Sequence, residues 1–237
     1  MKKVNVYELP LAFNICDQML REVERIPHWS MAHVIMNPKA ESLPHHHQAM
    51  REAYVITRGT GHLIVGGHNY LVQAGDAMVI DHHITHGLVN SSAASLEHLV
   101  LAWPPFDPAD VHVNRDYEGH KGFDRVFPQP EPVECFDGAK IIAYEFGDIA
   151  SVAFGWVIND PRRHKPAHYH KKTIEWIFVV EGEGSLELNG ESHNIRSGDW
   201  IRVEPDEYHA LRNRKDQHMV VVCVCNPCFC MDDVHYR

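Results

Sequence analysis

Short apolar runs punctuated by glycine fill the chain after residue 30, and none of them keeps a helical period for long. Residues 63–65 and 70–72 flank Gly66-Gly67, while residues 185–188 and 192–195 flank Asn189-Gly190. Gly-Gly and Asn-Gly pairs favour tight hairpin turns because both central residues need a positive φ. The pattern therefore predicts β-hairpins within an all-β sandwich or barrel.

One segment near the start departs from this pattern. Between Asn14 and Ile26, the apolar residues Ile15, Met19 and Val23 share one helical face with Ile26 and follow an asparagine that suits a helix start. We therefore predict a short N-terminal packing helix.

An internal repeat of 123 residues runs through the chain without a gap. It carries ten residues of the first half onto identical residues of the second, namely His45, His47, Glu52, Gly59, Gly61, Gly67, Gly75, Asp76, His86 and Asn90 onto His168, His170, Glu175, Gly182, Gly184, Gly190, Gly198, Asp199, His209 and Asn213. Between the copies, residues 127–134 alternate proline with other residues, which favours extended backbone and prevents helix. The repeat predicts two tandem domains, 1–126 and 127–237.

Each copy holds four residues of metal-ligand type. His45 and His47 are two apart, so on a strand both project from the same face. Glu52 follows at the wrong parity for a continuous strand, so residues 48–51 must turn the chain back. His86 comes after a further strand, and an antiparallel neighbour can bring it alongside. The second copy repeats the set as His168, His170, Glu175 and His209.

Any one of these histidines alone is explained more simply as a surface or core residue. The recurrence of all eight ligand-type residues at identical offsets, in copies that differ at most other positions, favours two metal sites instead. His46 points to the other face of its strand and is left out of the predicted set.

The composition excludes some classes of binding partner. With Lys+Arg 22 against Asp+Glu 32, the formal charge is −10, which argues against nucleic acid or an anionic membrane as a partner. No apolar run is long enough to span a bilayer, and the start does not resemble a signal peptide, so we predict a cytoplasmic protein. Histidine, with 20 residues, is enriched, as expected of a metal-binding chain.

The six cysteines do not have the spacing of a disulfide framework, because four of them lie close together between Cys223 and Cys230. The first copy has Val100, Ala102, Pro105 and Asp107 at the matching places. We predict reduced strand and turn thiols, with a zinc site or a redox pair as the alternatives.

The ligand pattern resembles the two signature motifs of the cupin superfamily. The resemblance is carried by His45, His47, Glu52, Gly59, Gly75, His86 and Asn90, and again 123 residues later, over about residues 38–112 and 161–235. It implies a bicupin: two small conserved β-barrels of the double-stranded β-helix, or jelly-roll, type. Each barrel would hold one divalent metal through three histidines and one glutamate, and a homodimer would be plausible.

Turn positions of those motifs differ here. The glycine that usually precedes the first histidine by six residues is replaced by Lys39 and Arg162, and the usual Pro-x-Gly before the last histidine by residues 81–83 and 204–206. We expect ligation to survive and the shape of the barrel mouth to change.

Three neutral imidazoles and one carboxylate leave a divalent ion with a net charge of about +1 and two open positions, which suit an anionic bidentate ligand. Such ligation accepts Fe(II), Mn(II), Ni(II), Co(II) or Zn(II). We predict an enzyme acting on a small oxygen-rich substrate, with an Fe(II) dioxygenase as the first choice. The alternatives are a non-oxidative isomerase, decarboxylase, lyase or hydrolase, and a regulatory or storage protein without catalysis.

The residues beyond the ligands predict unequal pockets. Tyr54 shares the parity of Glu52, so on a regular strand it would lie beside the metal, while its counterpart is Ile177. We therefore expect the two pockets to differ. One version of this hypothesis is that only one of the two barrels is catalytic. No catalytic residue is assigned.

Overall fold

The computed structural model describes residues 1–117, 125–135, 139–147, 149–157, 166–214 and 218–236, and within these ranges the chain is almost entirely β-structure. Three short 3-10 turns, Val6–Glu8, Pro108–Asp110 and Met231–Asp233, are its only described helical segments. The predicted all-β class is confirmed.

The strands before the proline-rich linker are β1 (Lys2–Asn5), β2 (Ala12–Phe13), β3 (Met19–Ile26), β4 (Trp29–Met36), β5 (His45–His46), β6 (Arg51–Arg58), β7 (Thr60–Val65), β8 (His68–Gln73), β9 (Ala77–Ile80), β10 (His86–Val89), β11 (Leu96–Trp103), β12 (His112–Val113) and β13 (Arg125–Val126). Those that follow are β14 (Val133–Glu134), β15 (Lys140–Phe146), β16 (Ala150–Val157), β17 (His168–His170), β18 (Ile174–Glu181), β19 (Glu183–Leu188), β20 (Glu191–Arg196), β21 (Asp199–Val203), β22 (His209–Asn213), β23 (Met219–Asn226) and β24 (Val234–Tyr236).

The chain forms two compact units, each built from two sheets. The N-terminal barrel, Leu9–Gln129, has six-stranded sheets in the orders β12-β5-β10-β7-β8-β13 and β2-β3-β4-β11-β6-β9. The C-terminal barrel, Pro130–Arg237 with Met1–Glu8, has a seven-stranded sheet, β1-β21-β18-β23-β16-β15-β14, and a five-stranded sheet, β20-β19-β22-β17-β24. Tandem barrels of this kind are what the repeat predicts.

The first eight residues belong to the C-terminal barrel, although the predicted domain 1–126 placed them in the first domain. Strand β1 pairs antiparallel with β21, with Lys3 opposite Ile201. Val6 is fully buried, and its N–H donates to the Gly198 carbonyl at 2.7 Å. Backbone pairing to a distant edge strand leaves no local signal in the sequence. The boundary at the linker lies between Gln129 and Pro130, near the predicted one at 126/127.

The hairpins follow the predicted turns. Strands β7 and β8 are joined by Gly66 and Gly67 at φ +55° and +83°, and β19 and β20 by Asn189 and Gly190 at φ +52° and +88°. Two successive positive φ values are the hallmark of the type I′ turn, which matches the twist of the paired strands.

The predicted helix at Asn14–Ile26 is wrong, because the segment folds as a turn followed by β3. The Asn14 Oδ1 accepts the backbone N–H groups of Cys16 and Gln18 at 3.0 and 2.9 Å, and Asp17 takes a left-handed φ of +61°. This side-chain capping competes with helical bonds, and β4 then supplies partners for the backbone of β3. Ile15, on the predicted apolar stripe, is 52% exposed.

Each barrel has its own apolar core. In the N-terminal barrel the core consists of Val34, Met36, Tyr54, Ile56, Leu63, Val72, Ile80, Leu88 and Leu96. In the C-terminal barrel it consists of Val157, Ile177, Val179, Leu186, Leu188, Ile195, Ile201, Val203, Met219 and Val221. Alternate residues of the strands face these cores, so the ligands that share their parity also face inward.

A search of the described residues for a helix long and apolar enough to cross a membrane finds none.

We predict that Gly182→Ala destabilises the C-terminal barrel far more than Gly190→Ala. Both glycines have a positive φ, which costs an alanine about 1–2 kcal/mol. At Gly182 an added Cβ would also come within 2.3 Å of the His218 carbonyl oxygen, whereas at Gly190 it would meet nothing within 4 Å. Chemical unfolding of both variants measures the difference, and equal losses would contradict this account.

Candidate metal centre

The four predicted ligands of the N-terminal barrel come together in its interior. Their ligand atoms, from His45, His47, Glu52 and His86, lie within 4.8 Å of one another, and all four residues are buried. Across β5 and β10 the two outer histidines, His45 and His86, form a directly opposed pair, with ring centroids 4.3 Å apart. The antiparallel neighbour expected from the sequence thus brings His86 alongside.

Backbone carbonyls orient all three imidazoles. Nδ1 of His45 donates to Leu43 at 2.8 Å, Nδ1 of His47 to Asp110 at 3.1 Å, and Nδ1 of His86 to Ile84 at 2.9 Å. A carbonyl only accepts, so each Nδ1 carries the proton. In the neutral rings Nε2 is therefore left as the ligand atom, which is the arrangement that metal-binding histidines use.

A tight turn between His47 and Glu52 corrects the parity of the strand, as the spacing requires. The carboxylate of Asp110 holds this turn by accepting the backbone N–H groups of Gln48, Ala49 and Met50 at 2.8–3.2 Å. The carbonyl of the same residue accepts from His47. Asp110 thus fixes both the turn and one ligand without touching the site itself.

The C-terminal barrel repeats the site with His168, His170, Glu175 and His209, whose ligand atoms also lie within 4.8 Å of one another. His168 and His209 are opposed across β17 and β22, and their ring centroids are 4.3 Å apart. Asp233 plays the part of Asp110, with its carboxylate accepting the backbone N–H groups of residues 171–173 at 3.1–3.2 Å.

The C-terminal ligands are less firmly anchored. Nδ1 of His209 donates to the Glu207 carbonyl at 2.9 Å. Neither nitrogen of the buried His170 has a hydrogen-bond partner among the described residues. The N-terminal site is therefore the better preorganised of the two.

The glutamates are ionised in both sites. Burial opposes the charge of Glu52, but the contacts of its carboxylate with Nε2 of His86 at 3.1 Å and Nε2 of His47 at 3.4 Å outweigh burial and hold the pKa of Glu52 well below its ordinary value. The pKa of Glu175 is lowered in the same way against burial, by His170 and His209. Burial, with the neighbouring histidine, lowers the pKa of His45 to about 4 and that of His168 to about 3. The glutamates in turn raise the pKa of His47 and His209 against burial, so a proton competes for Nε2 of these rings in the metal-free protein. A divalent cation requires the anionic carboxylate and neutral imidazoles, and its binding would displace that proton.

Buried nitrogens without partners fit a cation at each centre. Nε2 of His47 and Nε2 of His170 are buried without a hydrogen bond, and they approach the glutamate oxygen only at 3.4 and 3.6 Å. Buried polar atoms normally form hydrogen bonds, so the unshared lone pairs of these two nitrogens are explained by a ligand from outside the protein. A divalent transition metal bound by nitrogen and oxygen fits both donor sets.

A cavity of about 530 Å³ opens beside the N-terminal site. Its wall includes the ligands His45 and Glu52, the polar residues Gln18 and Tyr54, and the buried Cys16. Burial, with the charge of Glu52, raises the pKa of Cys16 to about 12, so this thiol is a neutral part of the wall.

Tyr54 lies beside the ligands, as its parity with Glu52 predicts. Its ring packs edge-on against His86 at 5.8 Å, and its hydroxyl neighbours the side chains of Gln18 and Glu52. Behind it lies His98, which is fully buried with no hydrogen-bond partner for either nitrogen among the described residues and has its ring 4.9 Å from that of Tyr54. Burial lowers the pKa of His98 to about 3, so His98 is neutral.

The cavity beside the C-terminal site is smaller, about 180 Å³, and its wall carries thiols. Cys225 and Cys223 lie opposite Glu175 and Ile177 across β23 and β18. In the N-terminal barrel Ala102 and Val100 lie opposite Glu52 and Tyr54. The expectation that the two pockets differ thus matches the geometry.

None of the six cysteines forms a disulfide, in agreement with reduced thiols. Burial, with the charge of Glu175, raises the pKa of Cys225 well above its ordinary value, so it is a neutral thiol. The two potential ligand groups among the described residues contain no cysteine, so the zinc alternative for Cys223 to Cys230 gains no support.

The turn positions that lack the usual glycine keep its backbone geometry. Lys39, His83 and Asp206 have φ values of +66°, +64° and +66°. Arg162 lies outside the described residues. The substitutions therefore change side chains at the barrel mouth and preserve the path of the chain where it is described.

Sequence reasoning missed the residues that support the ligands. Asp110 and Asp233 are related by the same offset of 123 residues, and this recurrence was the available signal. Gln18 lies within the segment predicted as a helix, so the sequence did not predict that it lines the cavity.

A protein-family model described as "Cupin domain" matches residues 32–102 and 155–225, together more than half of the chain. L-ectoine synthase from Aliivibrio fischeri (strain MJ11) is 29% identical over 111 residues, covering 43% of this chain and 87% of that protein.

Among solved structures, the oxalate decarboxylase formate complex of Lactobacillus farciminis superposes with a TM-score of 0.70 at 14% identity, over 99% of this chain and 88% of that one. A Bacillus subtilis oxalate decarboxylase structure concerned with Mn(II) centres has a TM-score of 0.68 at 15% identity, over 100% and 78% of the two chains. At these identities the likeness establishes the fold.

We predict that Asp110→Ala weakens metal binding in the N-terminal barrel about 10- to 100-fold, the usual effect of losing a residue that orients a ligand. The turn over residues 48–50 loses its acceptor, so His47 and Glu52 are no longer held in register. Competition titration against a chromophoric chelator measures each site. Asp233→Ala is the matched control and should weaken the other site; an unchanged N-terminal affinity in Asp110→Ala would refute the role.

We predict that His98→Phe reduces the loss of stability of the metal-free protein in acid. The unfolded chain takes up this proton near its ordinary pKa of 6.5 and the folded protein only near 3, so stability is lost as the pH falls from 6.5 toward 3. Urea unfolding at about pH 7 and about pH 5 measures the change. His28→Phe, at an exposed position, is the control. An unaltered pH dependence in His98→Phe would contradict the prediction.

Proposed function

This chain belongs to the cupin family, with two cupin domains in tandem, and on that basis we propose that it is a metal-dependent enzyme that converts a small, oxygen-rich organic acid in its N-terminal barrel. The reaction we propose is non-oxidative, of the elimination, isomerisation or decarboxylation type. The observation that carries the proposal is the cavity beside the better-anchored site, whose mainly apolar wall places the polar groups of Gln18 and Tyr54 next to Glu52.

The metal would be held in the N-terminal barrel by Nε2 of His45, His47 and His86 and by the carboxylate of Glu52. A bound divalent ion supplies a Lewis acid that binds two substrate oxygens and stabilises negative charge next to them. Because Glu52 neutralises only one of the two metal charges, the site keeps an attraction for anions. The three backbone-anchored imidazoles hold this geometry before any substrate enters.

The cavity wall would position the substrate and exclude water. Tyr54 places a hydroxyl beside Glu52, where it can donate a hydrogen bond or move a proton at a substrate oxygen. Its ring is fixed between His86 and His98. Cys16 and Ala102, both buried, add neutral groups to the wall.

Proton transfer by a fixed hydroxyl suits non-oxidative chemistry, which is why we place it ahead of the Fe(II) dioxygenase first expected from the ligands. The names of the relatives favour the same order, since one is a synthase and the others are decarboxylases. Manganese is named for one of the solved structures, so among the metals that the ligands accept we would test Mn(II) first, followed by Fe(II), Zn(II), Co(II) and Ni(II). An oxygen-dependent reaction on Fe(II) remains the competing hypothesis.

The C-terminal barrel would bind a second metal in a smaller cavity, where Ile177 replaces Tyr54 and the tyrosine of the wall is Tyr144, on a different strand. With Ile177 in that place, its wall offers no hydroxyl beside Glu175 at the position of Tyr54. We propose that this barrel contributes less to turnover, or none, and that the chain acts as a homodimer.

The proposal predicts two metal ions per chain and turnover under argon. Elemental analysis should find one ion fewer in His47→Ala and in His170→Ala, since each loses one ligand of one site. Mass spectrometry of a panel of small hydroxy, oxo and dicarboxylic acids, incubated with the Mn(II), Fe(II) and Zn(II) forms, then identifies the reaction. His47→Ala should abolish turnover, and His170→Ala should retain most of it.

Three outcomes would overturn parts of this proposal. A wild-type protein that takes up no metal after reconstitution would end the enzyme hypothesis and favour a binding protein. Turnover that stops under argon and requires Fe(II) would replace the non-oxidative reaction with the dioxygenase. Equal loss of turnover in His47→Ala and His170→Ala would contradict the assignment to one barrel.

A further inference from the structure

Gln18 places a buried amide in the wall of the N-terminal cavity. The residue is only 5% exposed, and it follows the turn that replaced the predicted helix. It lines the same cavity as His45, Glu52 and Tyr54.

The hydrogen bonds of Asn14 determine which way this amide points. Its Oδ1 accepts the backbone N–H groups of Cys16 and Gln18, so its Nδ2 must face the other way. That Nδ2 donates to Oε1 of Gln18 at 3.0 Å. The acceptor end of the Gln18 amide is thereby occupied, and the donor end is the one turned away from Asn14.

The donor end has no well-formed hydrogen bond. Nε2 of Gln18 is buried and has no partner of hydrogen-bond geometry among the described residues, and the Tyr54 hydroxyl is the neighbouring group that it contacts. A buried amide donor without a partner is costly, and it is kept where a ligand supplies the acceptor. One amino proton can point toward the Tyr54 hydroxyl, and the other is left for a molecule bound in the cavity that both side chains line.

We infer that Gln18 is a specificity-determining residue that donates a hydrogen bond to a carboxylate or carbonyl oxygen of the metal-bound substrate. This rests on the proposed function, because the substrate must first be held by the metal beside Glu52. The inference narrows the substrate class to acids with an acceptor oxygen beyond the two that the metal binds. A substrate with a donor at that place would be rejected, since two N–H groups would face each other.

The C-terminal barrel lacks this device. The repeat places Ile141 at the position of Gln18, and no amide side chain is among the described residues that line the C-terminal cavity. The selectivity for an acceptor oxygen is thus confined to the N-terminal barrel.

The test uses oxalate as the probe, because two of its oxygens can chelate a metal and two others remain as acceptors. The full-length protein carries His170→Ala, so that Co(II) reports the N-terminal site. The ligand-field absorption of Co(II) then measures oxalate binding in Gln18→Glu and Gln18→Met. A chelator titration measures metal affinity in each variant, and Gln73→Glu, which adds the same charge at an exposed position, is the control.

We expect oxalate to bind about tenfold more weakly to Gln18→Met, and more weakly still to Gln18→Glu, with Co(II) affinity retained in both. Glutamate keeps the acceptor for Asn14 but replaces the donor with a negative charge facing the anion. A purely structural role predicts the opposite order, because methionine loses the Asn14 bond and glutamate does not. That opposite order, or oxalate binding equal to the parent, would overturn the inference and leave the proposed function standing. A parent protein that binds no Co(II) would overturn both.

Discussion

The constraint on which each barrel depends is an ionised carboxylate buried among three imidazoles. An isolated buried carboxylate would take up a proton, but Glu52 and Glu175 receive hydrogen bonds from neighbouring histidines and remain anionic. The hydrogen-bonding histidines, His86 and His209, lie on the sheet opposite that of the glutamates, so the carboxylate can be stabilised only when both sheets of a barrel are assembled. The two aspartates that hold the turns before the glutamates serve the same end. In each barrel, therefore, the charge of the buried glutamate is stable only in the folded arrangement of its three histidines.

The parts of the molecule that the sequence predicts are those encoded by short, repeated spacings. His-x-His on a strand, the glycine turns of the hairpins and the offset of 123 residues each have a local geometric meaning, and the structure brings all eight ligand-type residues together as these spacings imply. The helix prediction for the segment from Asn14 was wrong because the apolar spacing there suits a helix. In the structure the Asn14 side chain accepts hydrogen bonds from the backbone and holds a turn instead. The pairing of β1 with β21 could not be predicted, because no short sequence pattern encodes it. The buried Nε2 of Gln18 could not be predicted either, because its surroundings come from residues far away in the sequence.

The two barrels share a framework and differ in what faces the metal. Strand for strand, Tyr54 becomes Ile177, and Val100 and Ala102 become Cys223 and Cys225. These exchanges lie on the inner face directly beside the ligands, so they alter the cavity while the ligand geometry stays the same.

The placement of β1 has a consequence for how the polypeptide is made. During synthesis β1 can find its partner, β21, only after nearly two hundred further residues have been added to the chain. Until then its backbone groups and the apolar Val6 have no place in a finished sheet. A chain divided at the linker would carry this strand away on the wrong fragment and expose β21 as an open edge, the kind of surface on which foreign strands add. The duplicated halves are therefore not interchangeable modules, because β1, which precedes the first copy, is the edge strand of a sheet of the second.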